Sequence, residues 1–300
     1  MARAKKARRG LVVLADGAQA AFAAGAVAEL ARTGRAWAIT RGAGLGAQVA
    51  LLAALGEPGE AERRWLRQGA GGCPLLSSLV ARGRRRLAGD DGLLLLPDAL
   101  ALAGWLDPVE LEEHLAPDTA GVPERLRRAG TSCAVAVEDL AAGRVDWVEL
   151  GDATAGDAAW ALRAAVRFPA GWGPVAGGDD AAPALRWGGA GLADSGLGGA
   201  AATDDWDVVC GFPVPPVARP ALGGSLLELV QRREEVRSGA AIAASGRAVV
   251  APSTASWVAW AARDGADLGT EYPLPWERNG ELVEQLVAYG RSVARAAAGA

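Results

Sequence analysis

The chain has 300 residues, 51% of them hydrophobic and 22% charged, with a formal net charge of −4. This is globular composition, long enough to bury one sizeable core, and the negative balance repels nucleic acid. No apolar run nears the ~20 residues that a membrane-spanning helix needs, and one histidine, His114, with three widely spaced cysteines, Cys73, Cys133 and Cys210, makes no metal-ligand cluster. An odd, scattered set of cysteines fits reduced thiols and a cytoplasmic location.

Residues 1–9 hold the basic run Arg3 to Arg9 and are expected to be a solvated tail. The apolar stretch Leu11 to Leu14 is stopped by Asp16, Gly17 and Gln19, too early for an export signal. A second basic run, Arg82 to Arg86, is likewise a solvated segment, with peripheral contact to anionic lipid as its functional alternative. Leu11 to Leu14 predicts a buried strand and Gln19 to Leu30 a helix. Trp37 to Thr40 predicts a second strand, Arg41 to Gly46 a glycine-rich turn, and Ala47 to Leu55 a second helix ending at Gly56 and Pro58.

From Arg63 to Ala129 the pattern is helical and leucine-rich, broken at Gly71-Gly72, Gly89 to Gly92 and Asp107-Pro108. Asp107 is expected to cap a helix there, with Pro108 in the first position and Glu110, Glu112 and Glu113 near its positive end. Cys133 to Val137 and Val145 to Leu150 predict strands joined by a hairpin through Gly143-Arg144, and Ala158 to Val166 a helix. Trp187 to Leu192 and Val208 to Val209 are weaker strand patterns, and Leu226 to Ala244 and Glu281 to Ala298 are helical. Strands alternating with helices predict an α/β fold with a mainly parallel central sheet flanked by helices. The expected organisation is one domain over residues 10–300, with a helical C-terminal extension from about residue 220. The eleven tryptophans are scattered, apart from Trp257 and Trp260, which favours core filling over a stacking platform.

The segment Gly42-Ala43-Gly44-Leu45-Gly46 lies between a predicted strand and a predicted helix, the setting of a nucleophile elbow, in which Gly-x-Ser-x-Gly holds a serine on a sharp turn. Gly44 stands where the serine would be. The segment resembles the elbow of patatin-like phospholipases, Gly-Thr-Ser-Ala-Gly-Ala, over Gly42 to Ala47. The family's opening turn, Gly-Gly-Gly-x-Lys/Arg-Gly, is similar to Ala15-Asp16-Gly17-Ala18-Gln19-Ala20, with the helix after it matching at Phe22, Gly25 and Leu30. Ala134 to Gly143 resembles the family's middle strand and turn, Ala161 to Pro169 its segment leading to a proline, and Gly173-Pro174-Val175 its Pro-Pro-Val. Asp194-Ser195-Gly196 resembles its Asp-Gly-Gly/Ala motif, which would make Asp194 the base of a Ser-Asp dyad. Together these cover about Leu11 to Gly199. The resemblance implies a three-layer patatin-like fold and hydrolysis of lipid acyl esters without a metal or cofactor.

The departures bear on activity. Glycine has no side chain with which to attack a carbonyl, and Thr40, the nearest hydroxyl, lies on the preceding strand. Ala15 and Asp16 replace two glycines of the opening turn, which the resemblance makes the oxyanion site, and Gln19 replaces its cation. A carboxylate at Asp16 is expected to cap the helix opening near Gly17, accepting from the amides of Ala18 and Gln19 and stabilising it by about 0.5–2 kcal/mol. It would also repel a developing oxyanion. Without a serine partner, Asp194 is expected to form an Asx turn.

The expected function is that of an inactive pseudo-hydrolase. It would serve as a structural or regulatory subunit, paired with itself or an active relative, or as a lipid-binding module holding an acyl chain between the two glycine turns. One alternative is an acyl hydrolase with a non-standard nucleophile. Another is a dinucleotide-binding protein, because Gly42-x-Gly44-x-x-Ala47 also fits that fingerprint, with Glu60 or Glu62 near the distance of its ribose-binding acid.

Overall fold

A computed structural model of the chain describes residues 9–16, 19–70, 118–139, 144–167, 175–177, 184–187, 205–214, 236–244, 249–253 and 280–299. Its strands are β1 (Arg9–Ala15), β2 (Ile39–Gly44), β3 (Ser132–Asp139), β4 (Arg144–Glu149), β5 (Val175–Gly177), β6 (Ala184–Trp187), β7 (Asp205–Cys210) and β8 (Val249–Val250). They form one sheet in the order β5-β6-β3-β2-β1-β7-β8, with β4 also paired to β3. The pairings β3-β2, β2-β1, β1-β7 and β7-β8 are parallel, and those of β3-β4, β3-β6 and β5-β6 are antiparallel. The chain is therefore α/β, with a mostly parallel central sheet flanked by helices.

β1 is central, and its burial on both faces explains its unbroken apolar sequence. Leu11, Val13 and Ala15 join one core cluster, while Val12 and Leu14 join another with Ala43, Val208, Cys210 and Phe212. The first cluster is covered by α1 (Gln19–Arg32), α2 (Gly46–Ala54), α3 (Pro58–Ala70), α4 (Val122–Ala129), α5 (Ala155–Val166) and α6 (Gly280–Gly299). On the opposite face, helical residues 236–244 contribute Ile242. Every residue of α2 is buried, as befits a helix whose residues are apolar except for Gln48.

α1 and α6 cross closely because both present glycine at the contact. A Cβ on Gly290 would stand 3.0 Å from the Ala26 amide nitrogen and against the Phe22 carbonyl, and one on Gly25 would lie 2.9 Å from the Val287 carbonyl carbon. Ion pairs ring the seam. Arg295 donates to Glu29 (2.8 Å), Arg32 pairs with both Glu29 and Glu62, and Arg291 reaches Glu62 from α6.

Several boundaries differ from the sequence expectation. β2 starts at Ile39 and continues through Gly44, leaving Leu45 as the whole turn, because the strand pairs with β1 as far as Ala15↔Gly44. Trp37 lies before β2, its buried indole donating to Asp207 (2.7 Å). Trp187 belongs to β6, and residues 188–192 of the expected strand lie outside the described residues. β7 extends to Asp205 because parallel pairing to β1 covers its full length. β5 and β8 are too short to carry a pattern and exist through pairing. α3 begins at Pro58, an apt first helical residue. α5 begins at Ala155, where the Thr154 hydroxyl accepts from the Asp157 amide (3.1 Å). The Asp107 cap, Arg82 to Arg86 and residues 226–235 lie outside the described residues.

Candidate functional site

The C-terminal ends of β1 and β2 lie side by side, with Ala15 opposite Gly44. β2 therefore delivers the elbow glycines next to the end of β1, and each glycine answers a separate steric demand. A Cβ on Gly42 would sit 2.7 Å from the Gly46 carbonyl and 2.8 Å from the Ala47 amide nitrogen, so α2 folds directly back over its own strand. A Cβ on Gly46 would lie 2.6 Å from the Val13 carbonyl, which brings the first turn of α2 onto β1. Gly44 has φ +61°, the left-handed region that strains any residue with a Cβ. Strand, one-residue turn and helix, with positive φ at the apex, make a sharp elbow.

The space over Gly44 is filled. A Cβ there would stand 2.6 Å from Asp16 Cγ and 2.5 Å from the Ala15 carbonyl, and would abut Asp16 Oδ1. Asp16 is 1% exposed. The Gln19 amide donates to the Asp16 backbone carbonyl (3.0 Å) and the Asp16 carboxylate lies against Gly44; the Ala18 amide of the expected cap lies outside the described residues. The carboxylate stands close to where α1 and α2 both begin, and their positive ends favour a negative charge.

Gln19 is buried beside Gly211, where a Cβ would meet the Gln19 carbonyl at 2.8 Å and Ala15 Cβ at 2.9 Å. Gly211 follows β7 and donates its amide to the Leu14 carbonyl (2.8 Å), closing the site from the third strand. Thr40 is fully buried on β2 and donates toward the Ser132 carbonyl (3.5 Å), away from the turn. Gly17, Ala18, Asp194, Ser195 and Gly196 lie outside the described residues.

Three residues near the elbow escaped the sequence analysis. Gln48, one helical turn beyond Gly44, donates to Asp118 Oδ2 (2.7 Å), and Arg64 of α3 donates to the same oxygen (2.7 Å). Asp118 is fully buried, and burial opposes the charge of Arg64 while Asp118 and Glu60 outweigh it and hold the guanidinium above its ordinary value. Contact between such distant parts of the chain leaves no local signature. The two candidate ribose acids sit on α3 in ion pairs: Glu60 accepts from Arg67, Arg63 and Arg64, which together push its carboxyl down to about 2, and Glu62 is held by Arg291 and Arg32.

No family model matches this sequence, and no curated protein matches it. Among solved structures, the chain is similar to VipD from Legionella pneumophila, at 13% sequence identity and a TM-score of 0.38, over 68% of this chain and 49% of that one. The chain thus spans about half the length of VipD. No described helix is long and apolar enough to cross a membrane.

Proposed function

We propose that this chain is a patatin-like pseudo-hydrolase, a non-catalytic structural or regulatory subunit or lipid-binding module built on an elbow that has lost its nucleophile. One observation carries this: the apex of the elbow is Gly44, at φ +61°, with Asp16 occupying the space that a side chain there would need. Covalent acyl transfer requires a nucleophile in that space, and a buried carboxylate beside it opposes the negative charge that grows on an attacked carbonyl. Thr40, the neighbouring hydroxyl, is committed to the core.

The dinucleotide-binding alternative draws less support. A pyrophosphate would need the start of α2, where the Asp16 carboxylate already sits, and Glu60 and Glu62 are both engaged by arginines. The test is exposure of the purified protein to a fluorophosphonate probe, p-nitrophenyl esters and phospholipid vesicles. No labelling and no turnover are expected; stoichiometric labelling of any serine overturns the proposal. Lipid extraction and native mass spectrometry then separate the lipid-binding role from a subunit role read by co-purification.

A further inference from the structure

We infer that the Asp16 side chain is an intramolecular plug, a carboxylate held over Gly44 that closes the elbow to small anionic ligands; this rests on the elbow assignment proposed above. The steric part is direct. Asp16 Cγ lies 2.6 Å from the position of a Cβ on Gly44, and the Asp16 side chain has 1% exposure, so no ligand atom enters that volume while the carboxylate is present. The enclosure is tight on every described side. Gly46 brings α2 against the Val13 carbonyl, and Gly211 brings the end of β7 against Gln19 and Ala15.

The electrostatic part follows from the same placement. A carboxylate buried at a strand end is costly unless its surroundings favour the charge. Here α1 opens three residues after Asp16 and α2 opens two residues after Gly44, so two helix starts lie beside one carboxylate. Removing the side chain leaves a space with the shape and polarity of a carboxylate, and the ligand class that fits it is a small monocarboxylate. Because β1 and β2 are locked in register at Ala15↔Gly44, the space persists after the side chain is gone.

The experiment is thermal unfolding of Asp16→Gly titrated with sodium formate, against sodium chloride at matched ionic strength. The expected result is a saturable, formate-specific rise in Tm of the variant and none in the wild-type protein. No formate-specific rise, or an equal rise in the wild type, overturns the plug. Should Asp16→Gly fail to fold, Asp16→Ala takes its place in the titration and in a double-mutant cycle with Gly44→Ala. Gly44→Ala should then cost less in the Asp16→Ala background than in the wild type, and an equal cost in both overturns the plug. Fluorophosphonate labelling with intact formate rescue would refute the pseudo-hydrolase proposal alone, whereas absent rescue with absent labelling would refute the plug alone.

Discussion

Asp16 and Gly44 compete for one space: the carboxylate of the first stands against the position that a Cβ on the second would occupy. A serine at residue 44 therefore meets two penalties, the positive φ of +61° and displacement of a buried side chain. Gly44→Ser is expected to cost at least about 2 kcal/mol, since a strained backbone position alone accounts for about 1–3. Urea unfolding measures this. The same variant should remain unlabelled by fluorophosphonate, and an unchanged midpoint would show that the space is open after all.

The seam between α1 and α6 gives a prediction whose sign is opposite to the usual one. Within a helix, glycine to alanine ordinarily stabilises by about 0.5–1 kcal/mol. Gly290→Ala should instead destabilise, by about 1–3 kcal/mol, because its methyl group meets the Phe22 carbonyl and lies 3.0 Å from the Ala26 amide nitrogen. Calorimetry showing a raised Tm would disprove the close crossing.

Glu62 ties three helices through Arg32 and Arg291. Burial by itself would raise its carboxyl, but the two arginines outweigh burial and hold it below the ordinary value of 4.5. A carboxyl lowered on folding contributes stability that is present above its unfolded value and is lost as pH falls through the folded one. Glu62→Gln should cost roughly 1–3 kcal/mol at ~pH 7, less than a fully buried pair because both arginines reach solvent. The difference in Tm between variant and wild type should shrink below 4.5. A pH-independent difference would contradict the ion-pair origin.

Cys133 on β3 and Cys210 on β7 are fully buried, with two strands between them, and burial pushes the Cys133 thiol up to about 12 and Cys210 higher than its ordinary value as well. The thiolate is the reactive form. In a Cys73→Ser protein, both should resist iodoacetamide in the native state and react fully in denaturant. Rapid native modification of either would place it in a mobile or solvated setting instead.

Much of the fold was legible from local pattern. β1 announces itself as an apolar run because a central parallel strand is buried on both faces, and α1, α6 and the β3-β4 hairpin follow from helical spacing and from the Gly143-Arg144 signal. The glycines at 42, 44 and 46 mark the elbow because no larger residue meets all three demands at once. What the sequence left open depends on contacts between distant segments. β2 runs through its glycines because β1 pairs with it to Gly44, and β7 runs its full length for the same reason. Gln48, Arg64 and Asp118 converge only after α2, α3 and the helical residues 118–119 that precede α4 have packed. Local propensity placed Asp16 at a helix start, where a cap is favourable. The register Ala15↔Gly44 decided that its carboxylate also lies over the elbow, because strand pairing fixes which backbone stands beside a side chain and the sequence encodes that pairing only through the whole sheet.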